Sequence, residues 1–392
     1  MDAKKSGGVF KLRILLIAPQ LGFEQSGAVV PGGLLNFGRC VARVLASSPS
    51  VHQLGIWCQV DPAGTEHFIH DMLRVHAHSA LLTDIRCYGG SEWRLAADVA
   101  LASAIKTYDH IIYLLVNQSV LSVIPWHLPY SVWEIGGELF RPVSRLKYMA
   151  LSHANRLLSI SQTTNDYARQ HNPGLPPARI IHLCLEPPLY EPESKDDPIL
   201  KQSYEPAQRK LAIFILGNMQ KVHLYKGHQQ LIAGWAEVIS QCSNAELWIG
   251  GEGDGHPELK ALAQTLPALV AKHIHFLGRL NDTEVQRRFQ DCRAFAMPST
   301  GEGFGLVFVE AARYGLPCIG GKHDAVKEIV LHNQTGLLVE QEPHEVAQAC
   351  ITLLTKDSLA KQFGDAARQR YFSYFQYAHF RERLLQALEM VL

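Results

Sequence analysis

Two glutamates stand eight positions apart, Glu302 and Glu310, and the first sits among Gly301, Gly303 and Gly305. Carboxylates accept strong hydrogen bonds from O–H donors, so sugar hydroxyls are natural partners for such a pair. An isolated Glu-x7-Glu reads more readily as one solvated loop residue and one exposed helix residue. The surroundings shift that balance. Ala294–Met297 is a short apolar strand that stops at Pro298. The three glycines let a backbone approach a ligand closely. From Leu306 the pattern turns helical, through Val309 and Ala312, and stops at Gly315-Leu316-Pro317. Strand, glycine loop and helix start together suit a phosphate or pyrophosphate, because helix N-termini carry spare N–H groups and positive potential.

A lysine joins this set. Lys226-Gly227-His228 opens a helical stretch, and a cation at a helix start is unfavourable with the dipole unless an anion sits nearby. No Asp-x-Asp occurs in the chain, so the carboxylate pair that often holds Mg²⁺ or Mn²⁺ is missing. The expected chemistry stabilises an anionic leaving group with fixed dipoles and lysine, without metal or other cofactor.

Glu302-Gly-Phe-Gly-Leu-Val-x-x-Glu310-Ala, followed by Gly315-Leu-Pro, resembles the donor-site signature of family 4 retaining glycosyltransferases, the glycosyl transferases group 1. The resemblance implies an α/β chain of GT-B fold: two Rossmann-like domains facing across a cleft, with a C-terminal helix crossing back to the first. It implies a hexose moved with retention from a nucleoside diphosphate sugar to a hydroxyl of a saccharide or lipid-linked acceptor, as in polysaccharide biosynthesis. The acceptor would attack from the leaving-group face and a phosphate oxygen would take its proton. By the same resemblance Glu302 holds donor-sugar hydroxyls and Glu310 the ribose. Gly303, Phe304, Gly305 and Leu306 offer backbone to sugar and diphosphate, and Lys226 meets the leaving phosphate. The family's arginine position holds Asn218, and Lys221 is a candidate replacement. Gly278 and Leu280 would shape the base pocket. Gly32-Gly33 would approach the donor phosphates or the acceptor, against the reading that they only make a tight turn. The cleft-edge histidine is replaced by Ile135; Glu138 is the candidate acceptor residue in its place, with Glu134 and His127 weighed beside it.

The rest of the chain supplies the scaffold. Its 392 residues allow two domains, and 47% hydrophobic with 19% charged residues indicates a soluble globular protein. Zero formal charge gives no case for nucleic acid. Eight scattered cysteines without a C-x-x-C pair fit reduced thiols in the cytoplasm. Residues 1–11 lack a signal-peptide core, and no apolar run would cross a bilayer. Strands are expected at 12–18, 51–58, 111–116 and 130–133, with a further one at 154–161, in a first domain ending at residue 186. A Pro- and charge-rich connection covers 187–209. The second domain, 210–371, has strands at 211–217, 245–250, 273–278, 294–298 and 336–339, and residues 372–392 form the terminal helix. Arg141, Arg145, Lys147, His153 and Arg156 decorate one expected amphipathic helix; such a helix can touch anionic lipid at the inner membrane face, but a solvated surface is the commoner outcome. Two other readings stay open: a phosphorylase or epimerase on the same fold, and a non-catalytic sugar-nucleotide-binding partner, the latter motivated by Ile135 and Asn218. A nicotinamide enzyme is disfavoured because no G-x-G-x-x-G is present.

Overall fold

The computed structural model describes residues 12–26, 32–74, 81–124, 127–187 and 204–388. Residues 1–11, Pro31, most of the expected connection and the last four residues of the expected terminal helix lie outside that set. The chain divides into two units, Met1–Ser194 with Tyr377–Leu392, and Lys195–Gln376.

In the first unit, seven strands form one parallel sheet: β1 (Leu12–Ala18), β2 (Val51–Cys58), β3 (Leu81–Cys87), β4 (His110–Tyr113), β5 (Tyr130–Glu134), β6 (Arg156–Ser159) and β7 (Arg179–Ile180). Their order is β3-β2-β1-β4-β5-β6-β7. Parallel strands are covered by their crossover helices on both faces, and this explains the apolar runs at residues 14–18 of β1 and 111–113 of β4. The strand expected at 111–116 ends at Tyr113, and Val116 already opens a short helix. β3 was not expected. It is an edge strand, and its Asp84 and Arg86 keep it from reading as an apolar run. The expected basic helix is shorter than its charges suggested. It spans only Arg145–Ser152, leaving Arg141 before it and Arg156 on β6.

The second unit holds six parallel strands: β8 (Ala212–Leu216), β9 (Glu246–Gly250), β10 (Ile274–Gly278), β11 (Ala294–Met297), β12 (Cys318–Gly321) and β13 (Gly336–Val339), ordered β10-β9-β8-β11-β12-β13. β12 was not expected: the sequence reading stopped the preceding helix at Gly315-Leu316-Pro317 and gave the next residues no element. Tyr204 and Arg209, expected in the connection, are packed into this unit: Tyr204 Oη donates to Arg293 O at 2.7 Å, and Arg209 donates to Phe289 O at 2.7 Å. The terminal helix is also split. Tyr371–Phe375 make one π-helical turn, Gln376 is extended, and a new helix runs Tyr377–Leu388. Its buried face, Phe380, Leu384, Ala387 and Leu388, belongs to the first unit, where it packs against the helix Gly33–Ala46. Among the described residues no helix is long and apolar enough to cross a membrane.

A buried ion cluster ties the first unit's opening helix to the end of its sheet. Arg39, 2% exposed, donates to both Glu186 oxygens at 2.7–2.9 Å, and to Leu21 O and Asn36 Oδ1. Arg43, fully buried, donates to Pro187 O at 2.8 Å and stands 3.7 Å from Glu186. Removing the acid leaves two guanidiniums without their shared counter-charge. Glu186→Ala is expected to cost about 3–5 kcal/mol in urea unfolding, the usual penalty for breaking one side of a buried pair. A loss below about 1 kcal/mol would show that the cluster is not a stabilising tie.

Candidate active site

In the second sheet the strand order reverses between β8 and β11, and in open α/β sheets the crevice beyond the carboxyl ends of such neighbours is where ligands bind. The loops after β8 and β11 supply the chemistry-bearing residues there. After β8 the chain runs Gly217–Gln220, makes a 3-10 turn over Lys221–Lys226, and starts the helix His228–Gln241. After β11, Pro298 cannot extend the ladder, and Ser299–Gly305 leads to the helix Leu306–Arg313. Gly305 takes φ 94° as its N-cap, a left-handed conformation that favours glycine.

The two loops are locked together. Thr300 N–H donates to Tyr225 O at 3.1 Å, and the Gln341 amide donates to Tyr225 O at 2.6 Å and Pro298 O at 2.8 Å. Gly227, at φ 90°, lies so close to Pro298 that a Cβ there would stand 2.6 Å from its ring and its carbonyl. This packing sets the Lys226 ammonium in an ion pair with the Glu302 carboxylate, with side chains only 14% and 12% exposed. Lys226 Nζ also lies 5.3 Å from the Tyr225 ring centroid. His228, fully buried behind them, has both ring nitrogens unpartnered; burial, then Lys226, pulls its pKa down to about 4, so it is neutral.

A second set of loops borders the first at the same sheet end. Gly217 N–H donates to Gly250 O, and Gly251 N–H donates to Gly278 O at 2.8 Å. Leu280 packs on Gly250, where a Cβ would meet its methyl at 3.0 Å. Glu310 is half-buried about one turn into its helix; burial, helped by Asp282, lifts its carboxyl to about 7. So Lys226 and Glu302 make a charged pocket end, and Glu310 lies towards the loop that follows β10. Among the described residues no three His, Cys, Asp or Glu side chains gather as a metal ion would require.

Residues 196–370, most of this unit, match the family described as glycosyl transferases group 1. Similar curated proteins include an N-acetyl-alpha-D-glucosaminyl L-malate synthase of Bacillus anthracis, 28% identical over 45% of this chain and 45% of that one. A GDP-mannose-dependent alpha-(1-6)-phosphatidylinositol monomannoside mannosyltransferase of Mycobacterium tuberculosis is 32% identical over 37% and 39% of the two chains. The matched stretch thus spans less than half of those relatives. Solved structures align over nearly the whole chain. Anabaena HepE in complex with UDP and glucose gives a TM-score of 0.65 at 18% identity over 97% of this chain and 100% of that one. A sucrose-phosphate synthase of Thermosynechococcus elongatus gives 0.69 at 17% identity over 97% and 99%. The chain therefore has the GT-B fold, two Rossmann-like parallel sheets, as the sequence implied.

Within the matched segment the structure assembles Lys226, Glu302, Gly303, Phe304, Gly305 and Leu306 around one loop pair, with Gly278 and Leu280 alongside. Phe304 is buried and its ring meets Phe375, so its side chain is part of the core. Lys221 does not join them. It is exposed, bonds Glu258 at 2.5 Å, and takes no part in the Lys226–Glu302 pair. Gly32, Gly33 and Glu138 lie in the first unit, the glycines at the start of Gly33–Ala46 and Glu138 half-buried with its carboxyl pushed up by burial. There Glu134, at the end of β5, is fully buried and raised to about 8, so it is largely protonated at neutral pH. Sequence reasoning passed over Tyr225, His228, Asp324 and Gln341. Tyr225, Asp324 and Gln341 make long-range contacts that no local pattern announces.

Gly227→Ala combines a left-handed position, about 1–2 kcal/mol, with an overpacked contact on Pro298, about 1–3 kcal/mol. Chemical unfolding should show a loss of about 3 kcal/mol; wild-type stability would mean that the turn does not press on Pro298.

Proposed function

We propose that this chain is a retaining family 4 glycosyltransferase that takes a hexose from a nucleoside diphosphate sugar without a metal ion. The observation that carries the reading is the mostly buried Lys226–Glu302 pair at the point where strand order reverses, beside a glycine loop that caps a helix. A buried ammonium next to spare N–H groups suits a diphosphate. When the diphosphate arrives, Lys226 turns from Glu302 to the phosphate oxygens, and Glu302 is released to accept hydrogen bonds from the sugar hydroxyls. Glu310, towards Gly278–Leu280, accepts from the ribose. The C–O bond between sugar and phosphate breaks with Lys226 and backbone dipoles holding the developing charge. The acceptor hydroxyl adds on the same face and its proton passes to the leaving phosphate oxygen. The named relatives support a uridine or guanosine donor and a saccharide or lipid-linked acceptor. We place the reaction in the cytoplasm, with the inner membrane face as the meeting point for a lipid-linked acceptor. Ile135 and Asn218, where the family pattern differs, favour one other reading, a sugar-nucleotide-binding partner without turnover.

The ion-pair exchange gives opposite signs for affinity and rate. Glu302→Gln frees Lys226, so calorimetry should show UDP or GDP bound about fivefold more tightly, roughly 1 kcal/mol. Its turnover of the corresponding hexose donor should fall about 100-fold, and a chelator should leave wild-type turnover unchanged. Glu310→Ala should instead weaken nucleotide binding about tenfold. Unchanged affinity in Glu310→Ala would remove the ribose role, and weaker nucleotide binding in Glu302→Gln would remove the exchange.

A further inference from the structure

Glu302 is held through its backbone by a residue of another loop. Asp324, 2% exposed, precedes a short 3-10 turn after β12. Its Oδ2 accepts from Ser299 Oγ at 2.6 Å and from Glu302 N–H at 3.1 Å, while its Oδ1 accepts from Val326 N–H at 3.1 Å. Next to it, Ala325 N–H donates to Glu302 O at 3.2 Å. Both peptide groups of Glu302 are therefore pinned to 324–325, one by a carboxylate and one by a backbone amide. Two points fix the orientation of a peptide, and with it the direction in which the Glu302 side chain leaves the chain. Gly321 seals the same contact from below, since a Cβ there would stand 1.8 Å from Ser299 O.

We propose that Asp324 is a positioning residue for the transfer reaction, aiming the Glu302 carboxylate at Lys226 and the donor sugar without touching either. The inference rests on the catalytic reading of Glu302. A structural carboxylate could cap the 325–328 turn through Val326 alone; here the other oxygen is spent on the loop that carries Glu302. Charge matters as well as shape. In Asp324→Asn one of the two oxygen positions becomes an NH₂ group. With the remaining oxygen kept on Val326 N–H, that NH₂ faces Glu302 N–H, donor against donor, and the clamp opens. Burial lifts the Asp324 carboxyl to about 6, with Glu302 adding to the rise, so the clamp weakens as pH falls through 6. The groups facing Asp324 are Ser299, Glu302 and Val326, and Tyr225 also lies within its field.

The test is a double-mutant cycle on Asp324→Asn and Glu302→Gln, read by release of nucleoside diphosphate from UDP-glucose, UDP-N-acetylglucosamine and GDP-mannose, and by amide hydrogen exchange over 299–305. Asp324→Asn should lower kcat at least tenfold with donor KM changed less than threefold, remove the acid limb near pH 6, and speed exchange at Glu302 at least tenfold. In the Glu302→Gln background it should cost less than threefold, because the side chain it aims is gone. Ser299→Ala, which leaves the Glu302 N–H bond in place, should retain kcat within threefold. Equal losses of kcat in both backgrounds, or unchanged exchange at Glu302, would overturn the positioning role. If Glu302→Gln itself keeps full turnover, the catalytic reading of Glu302 falls, while the exchange data still decide whether Asp324 holds the loop.

Discussion

An ammonium and a carboxylate from residues 76 positions apart are pressed together where the second sheet reverses its strand order. Removing two charges from water costs several kcal/mol each, and their attraction repays that only when geometry is good. A pair like this is weak as a source of stability. It makes more sense as a site that keeps its charges ready: each ion neutralises the other until a ligand offers both a better partner. In the proposed reaction a diphosphate would supply anionic oxygens to one and a sugar would supply hydroxyls to the other, with the desolvation done before substrate arrives.

The fold creates this arrangement by close backbone approach. β8 and β11 lie side by side, and their loops leave the same end of the sheet. Glycines then allow contacts that any side chain would prevent, Gly227 on Pro298 and Gly321 on Ser299. Gln341 and Asp324 bind the loop from two sides through its backbone. Rigid loops on a rigid sheet are what a transfer reaction needs, since small errors in placement are costly to rate.

Much of the architecture could be read from sequence because buried parallel strands are unbroken apolar runs. β1, β8, β9 and β11 are of that kind. β12 escaped because Cys-Ile-Gly-Gly has little strand character, yet its glycines are required by the contact with Ser299. β3 escaped because an edge strand tolerates Asp84 and Arg86. The continuous terminal helix failed at Gln376, where one apolar pattern serves two packing environments in sequence. At the site, Glu302, Glu310 and Lys226 stood out through motif resemblance, and their surroundings make chemical sense of it. Lys221 was suggested by charge alone, and charge alone does not reveal that Glu258 would take it. Asp324 drew no attention in the sequence, although it caps the 3-10 turn that follows it. Its second set of hydrogen bonds comes from a loop 22 residues away, which is beyond the reach of any local pattern.

The central claim is that a nucleoside diphosphate takes Lys226 away from Glu302. A crystal structure with UDP or GDP bound tests it most directly. The account requires phosphate oxygens at hydrogen-bonding distance from Lys226 Nζ, with the Glu302 carboxylate turned off the lysine and open to a sugar. A nucleotide bound elsewhere, with the Lys226–Glu302 pair intact, would contradict it.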